Sequence, residues 1–227
     1  GHFVISAFSG IEHSADPQEL DLRGREKATI EIPFKRLFSA REKGWVAGNT
    51  HLHLRELTRD TADRYLTEVS RADGLEMVFV SYLERAIVDR GYTSNAYTVA
   101  DLKRLSGTGL CFGSGEEYRH NIGGGGEGYG HVMFLDIPKP ILPASLGPGI
   151  TQMGNDGTPL RGGIDRARAD GGTIVWCHNA FGFEDIPSWL SDRVDAQNIF
   201  DGGNRGSYED SFYRYLNLGM KVPFSTG

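Results

Sequence analysis

The chain has 227 residues, a formal net charge of −6, 39% hydrophobic residues and 24% charged residues. That length suffices for one large domain that buries about 70% of its unfolded surface, and the composition excludes a disordered chain. The acidic balance provides no basic field for a phosphate backbone, and no apolar run approaches the about 20 residues of a membrane span. The expected partner is therefore a small-molecule substrate, with no nucleic acid and no membrane, and the oligomeric state is left open.

The N-terminal Gly1-His2-Phe3-Val4 carries neither an initiator Met nor a basic signal region. It reads as a processed or recombinant end, which leaves the compartment open and compatible with a secreted or periplasmic protein. Residues 1–40 lack helical periodicity. Phe3-Val4-Ile5 and the alternating Thr29-Ile30-Glu31-Ile32 read as strand and loop material, a segment set apart from residues 41–227 and possible to read as the end of a preceding β domain. Residues 58–72 predict a helix: Leu57, Tyr65, Leu66 and Val69 form its apolar stripe, and Asp73-Gly74 stops it. Met77–Val80 is a buried strand, and Thr98–Leu105 is a short helix capped by Thr98 or Ser94. Leu110–Phe112 and His131–Ile137 are further strands, and residues 138–160 are Pro- and Gly-rich loop. A helix over Gly162–Ala169, a strand over Thr173–Cys177, a final helix over 208–218 and the run Val222–Ser225 complete the chain. Helices alternating with short, wholly apolar strands predict an α/β fold with a parallel sheet or barrel. The two cysteines, Cys111 and Cys177, lie in apolar runs and read as two buried thiols.

His51 and His53 stand in Gly48-Asn49-Thr50-His51-Leu52-His53-Leu54. In a strand, residues i and i+2 share a face, so the two imidazoles can grip one metal ion while Leu52 and Leu54 turn to the core. His131 opens an apolar strand, His178 closes one, and Glu116-Glu117 follow another. The C-terminal ends of strands are where α/β sheets and barrels place their active sites. The joint pattern points to a metal site more strongly than any one piece of it.

These residues resemble the polymerase-and-histidinol-phosphatase (PHP) superfamily of metal-dependent hydrolases, most of all its carbaryl-hydrolase-type branch. The resemblance rests on Gly44-Trp45-x-x-Gly48-Asn49-Thr50-His51-Leu52-His53, Gly115-Glu116-Glu117, Gly130-His131 and Cys177-His178, and spans Gly44 to Gly227. It implies a distorted (β/α)7-type barrel over 41–227, preceded by the short β segment of 1–40. It also implies His51, His53, Glu117, His131 and His178 as metal ligands. Strand alternation lets only one of Glu116 and Glu117 point inward, and Glu117 is favoured.

The chain departs from that pattern in ways that bear on chemistry. Asn49 stands where the family has Asp, and Tyr82 and Leu83 occupy its Asp-His pair. Leu cannot ligate, and Tyr rarely replaces a carboxylate toward a hard cation. The family's closing Asp-x-His is expected just beyond Gly227 or missing. One or two divalent ions, zinc, manganese or iron, are therefore expected rather than a trinuclear cluster. The implied reaction is hydrolysis of an ester, phosphoester or amide/carbamate-type bond by metal-activated water. Tyr82, Glu116 or Asp185 could assist proton transfer, with Glu116 and Tyr82 the leading candidates.

Other features have plainer readings. Gly123–Gly128 lacks the Gly-Lys-Ser/Thr of a phosphate loop and reads as a loop over the site. His120 beside it reads first as a solvated loop histidine and second as a substrate contact. Asn179 and Arg205 are the other substrate-binding candidates. Trp176 and Trp189 read as core. The rival to the enzyme reading is a catalytically degenerate barrel kept as a ligand-binding or structural module.

Overall fold

The computed structural model describes residues 1–84, 91–121, 128–147, 158–177, 184–200 and 209–226. The N-terminal segment holds two small antiparallel pairs: β1 (His2–Ile5) with β3 (Gln18–Asp21), and β2 (His13–Ser14) with β4 (Lys35–Arg36). No strand forms over 29–32, where alternation predicts one. Pro33 ends that run, and an alternating segment gains nothing from extension unless a partner strand meets its backbone.

The remaining strands form one mixed sheet. They are β5 (Gly48–Leu52), β6 (Met77–Tyr82), β7 (Cys111–Asn121), β8 (Gly128–Leu135), β9 (Ser145–Leu146), β10 (Thr173–Trp176), β11 (Ala196–Phe200) and β12 (Phe224–Thr226). The spatial order is β12-β11-β10-β8-β7-β6-β5, with β9 beside β7. β12 approaches β5, so the sheet nearly closes into a barrel.

The sheet is not wholly parallel as expected. β8 runs antiparallel to both β7 and β10. The expected short strand at Leu110–Phe112 continues through Asn121 and forms a long hairpin with β8, in which Glu117 lies opposite Met133 and Arg119 opposite His131. Antiparallel neighbours need only a short connection, whereas parallel ones need a crossover. The few residues between Asn121 and Gly128 permit only the former. As a result the N-terminal half of β8 lies at the end of the barrel where β5, β6 and β10 finish.

Period-two alternation sorts the strands into two faces. Val78, Val80 and Phe112 face outward onto Leu66 and Leu102. Those two come from the first helical stretch, α1 (Arg59–Arg64) with a π turn over Tyr65–Val69 and α2 (Ser70–Ala72), and from α3 (Val99–Leu105). Thr98 caps α3 in a capping box with Asp101. Val132, Phe134, Ile174 and Trp176 face outward onto Ile164, Trp189, Phe212 and Tyr215. These belong to α4 (Arg161–Ala169), α5 (Asp185–Leu190) and α6 (Glu209–Asn217). Inside the barrel, Phe79, Met133, Leu135, Val175, Cys177 and Ala196 pack together. Both faces of these strands are buried, which explains their unbroken apolar sequence. Gly113 makes room for this interior: a Cβ there would meet the Phe79 ring at 2.6 Å.

Cys177 is buried, but Cys111 is exposed at the opening of β7, against the expectation of two buried thiols. The first residue of a strand has fewer neighbours than its interior, whatever its hydrophobicity. α5 and β11 were not anticipated; β11 buries Gln197 and Asn198 fully, so it lacks the apolar run that marks a buried strand.

Candidate metal centre

Above the apolar floor of the barrel, the interior becomes polar. The site starts with an irregularity in β5: its register with β6 shifts between Asn49 and Leu52, and the Asn49 Oδ1 accepts the His51 N–H at 2.9 Å. Asn49, which holds the position of an expected Asp, thus shapes the strand that presents the histidines. The His51 and His53 rings meet edge to face, 5.0 Å apart at 87°. Their Nε2 atoms are 3.1 Å apart, and Glu117 Oε2 lies 3.4 Å from His51 Nε2 and 2.9 Å from His53 Nε2.

Three donor atoms of a cation site converge here. Nitrogen and oxygen ligands at about 2.0–2.2 Å from an ion are separated by about 3.0 Å in octahedral and about 3.3 Å in tetrahedral coordination. The three edges of this triangle, 2.9, 3.1 and 3.4 Å, lie within about 0.1 Å of these two separations. The proton arrangement points the same way. The His53 Nδ1 lies 3.1 Å from the Ser81 carbonyl oxygen, which can only accept, so the Nδ1 carries the proton and the neutral ring turns its Nε2 lone pair toward Glu117. A lone pair 2.9 Å from a carboxylate oxygen calls for a cation between them or a second proton on the ring. Ligating imidazoles fixed by a bond from the far nitrogen to a carbonyl are the usual device for a metal. The residues present therefore fit a divalent ion.

The other oxygen of Glu117 faces different partners. The Oε1 is 3.2 Å from Arg119 Nε and 3.5 Å from His131 Nδ1. Burial would raise the Glu117 carboxyl, but the charge of Arg119 and the bonds with His51 and His53 hold it well below the usual carboxylate range. His131 reaches this layer from β8, two positions before Met133 of the floor.

Glu116 and Tyr82 stand opposite each other in register, on the outer face and away from this cluster. Glu116 is fully buried, and its Oε2 accepts the Ile141 N–H at 2.6 Å. Burial pushes its carboxyl up to about 8. Glu84 accepts the Ala144 N–H at 3.2 Å, so two acidic side chains, Glu116 and Glu84, fasten the segment that leads into β9. Tyr82, its phenol raised by burial and then by the charges of Glu84 and Glu116, borders a cavity of about 310 Å³ with Tyr97 and Ile137. Neither residue touches the His51-His53-Glu117 triangle. Leu83 is buried, and its N–H and carbonyl are both held by the Asn95 amide.

His120 is not a solvated loop histidine: it lies within β7, 2% exposed. Its Nδ1 donates to the Thr158 carbonyl at 2.6 Å, its ring packs 4.5 Å from that of Tyr118, and burial lowers its pKa. A strand that continues to Asn121 carries it into the outer core. Asp185 accepts from the Tyr215 hydroxyl on the helical layer. His178, Asn179, Arg205 and the Gly123–Gly126 run lie outside the described residues. Residue-level reading missed Arg119 and the Ser81 carbonyl; strand alternation from Glu117 places Arg119 on the same face, and that signal was there to be used.

No family model and no curated protein matches the chain. Among solved structures, it is similar to a two-domain protein from Bacteroides vulgatus described as containing a predicted PHP-like metal-dependent phosphoesterase. The two are 10% identical with a TM-score of 0.43, over 78% of this chain and 49% of that one. The chain thus spans about half the length of that protein, and a likeness this loose carries no argument about the site.

Proposed function

We propose that this chain is a metal-dependent hydrolase that acts on a small-molecule substrate. The observation that supports this most directly is the convergence of His51 Nε2, His53 Nε2 and Glu117 Oε2, with His53 held in its ligating form by the Ser81 carbonyl. In this reading His51, His53 and Glu117 hold one divalent ion, zinc, manganese or iron. His131 is the next donor, and His178, which follows β10, is the candidate for a further one. The bound ion supplies a Lewis acid and a water acidified toward neutral pH.

The protein's own residues prepare that chemistry. Asn49 fixes the backbone of His51, and Ser81 fixes the His53 tautomer. Glu117 divides its oxygens between the ligand triangle and the Arg119–His131 side. The apolar floor of Phe79, Met133 and Val175 keeps water out from below, which strengthens each electrostatic contact in the layer. The scissile bond is of ester, phosphoester or amide/carbamate type, as the PHP resemblance implies. With Tyr82 facing outward and Leu83 apolar, the ligand set is small, and one ion fits it better than a cluster. The same lean set is what favours the rival, a barrel that binds a ligand without turning it over.

The test is metal content by elemental mass spectrometry, on protein purified without chelator or a histidine-affinity column. About one equivalent or more is expected, lost in His53→Ala and in Glu117→Ala. Absence of metal after reconstitution with zinc, manganese and iron would overturn the proposal. Metal without hydrolysis of any ester, phosphoester or carbamate probe would favour the binding module.

A further inference from the structure

We infer that the cavity on the outer side of β6 and β7 is a second ligand site, which takes a neutral aromatic molecule of one or two rings that carries a hydroxyl or carbonyl oxygen. The inference is independent of the metal reading above.

The cavity has a volume of about 310 Å³. Its floor is Val80 and Ser114, which stand opposite each other in register on the outward face of β6 and β7. Its sides are the 3-10 turn Thr93–Ala96 with the start of α3, and the loop Ile137–Pro140 that follows β8. None of His51, His53, Glu117 and His131 belongs to its wall, because they lie on the other face of the sheet. An occupant of the cavity therefore touches no residue of the metal layer.

The chemistry of the wall selects the ligand. Tyr82, Tyr97, Pro138 and Pro140 bring four ring side chains around one small volume, and an aromatic face packs well against such surfaces. Most polar atoms of the wall are already engaged. The Tyr97 hydroxyl donates to Asp63 Oδ1 at 2.6 Å, and its ring carries the Arg59 guanidinium at 3.8 Å. The Ser114 hydroxyl donates to the Ile137 carbonyl at 2.5 Å, and the Asn95 amide holds both backbone groups of Leu83. These bonds fix the wall before any ligand arrives, which lowers the ordering cost of binding.

Ser94 is the exception. It is 3% exposed, and its Oγ has no hydrogen-bond partner among the described residues. A buried hydroxyl in that state is unfavourable, and a ligand oxygen that meets it removes the penalty. Apart from the two tyrosines, Lys139 is the single ionisable side chain of the wall, and it is exposed. A carboxylate enclosed here would lack a buried partner, so the ligand is neutral. An apolar cavity of about 150 Å³ already admits benzene, so this volume accommodates one substituted ring or two.

The test is a titration of the full chain with phenol, with and without one equivalent of zinc, followed by backbone amide chemical shifts. Cyclohexanol, which keeps the oxygen but lacks the flat face, and benzoate, which adds a charge, are the comparisons. Saturable phenol shifts are expected at residues 80–82, 93–99 and 114–115, equal with and without zinc. Cyclohexanol is expected to bind at least about threefold more weakly than phenol, and benzoate more weakly still. Ser94→Ala is expected to weaken phenol about fivefold, the worth of one neutral hydrogen bond. Tyr82→Leu, which removes one ring of the wall, is expected to weaken it similarly and serves if Ser94→Ala does not fold. Absence of saturable shifts, or shifts confined to other parts of the chain, overturns the inference. So does phenol binding that disappears without zinc, which would place it in the metal layer. Cyclohexanol binding as tight as phenol overturns the aromatic class, and tighter benzoate overturns the neutral one in favour of an anion held by Lys139. Unchanged phenol affinity in either folded variant also overturns it.

Discussion

Glu116 provides a quantitative test of which carboxylate serves the site. It is fully buried on the outer face, with its Oε2 receiving the Ile141 N–H at 2.6 Å. Burial pushes its carboxyl up to about 8, against the opposing effects of that bond and of Arg166. The folded protein therefore keeps this proton where the unfolded chain has lost it, from about pH 4.5 upward. Above that pH the unfolded state binds fewer protons, so stability declines as pH rises through the folded value. The cost is about 1.4 kcal/mol per pH unit over that window, or about 5 kcal/mol once the carboxyl is ionised. Glu116→Gln has the shape of the protonated acid, keeps an acceptor for Ile141 and cannot ionise. Urea unfolding at pH 5, 6.5 and 8 is the assay. The variant should match wild type at pH 5 and exceed it by several kcal/mol at pH 8. Parallel curves, or a variant less stable than wild type at pH 8, would refute the reasoning. The second outcome would mean that an ionised Glu116 is part of the native design, as a catalytic base would require.

Three further outcomes follow from packing, local backbone structure and burial. Gly163 of α4 lies against Tyr118: a Cβ there would stand 2.4 Å from the ring's Cε1, and that ring is backed by Phe134 at 5.0 Å and His120 at 4.5 Å. Gly163→Ala gains about 1 kcal/mol of helix propensity but costs about 1–3 kcal/mol in overpacking, so thermal unfolding should show a net loss; equal or greater stability would contradict this packing. Thr98→Ala removes the side-chain half of the α3 capping box, leaving the backbone N–H of residue 98 donating to Asp101, and should cost about 1 kcal/mol, or a few degrees of melting temperature, with zinc binding unchanged. His120 has a depressed pKa, so its neutral form stabilises the fold above the unfolded value near 6.5 and that contribution is lost as pH falls. His120→Gln should therefore flatten the stability profile on its acidic side, as read by melting temperature from pH 7 to pH 5.

Much of the architecture was legible along the chain because it depends on local physics. The stripe of Leu57, Leu66 and Val69, the cap at Thr98 and the stop at Asp73-Gly74 each act within a turn or two of backbone, and the helices form there. Unbroken apolar runs announced strands buried on both faces, and His51-x-His53 announced two imidazoles on one side of a strand. Alternation also put Glu116 and Glu117 on opposite faces. What local physics could not decide was direction and company. Whether β8 runs with or against β7 depends on a pairing between residues far apart in sequence, and that pairing makes Glu117 and Arg119 mid-strand neighbours of Met133 and His131. The same long β7 draws His120 into the core and leaves Glu116 and Tyr82 outside the barrel. β11 stayed unread because Gln197 and Asn198 are polar where buried strands are usually apolar. The ligand chemistry of His53 rests on a Ser81 carbonyl, a backbone group every residue has, so no side-chain pattern could have revealed it; only the fold brings that oxygen within 3.1 Å of the ring.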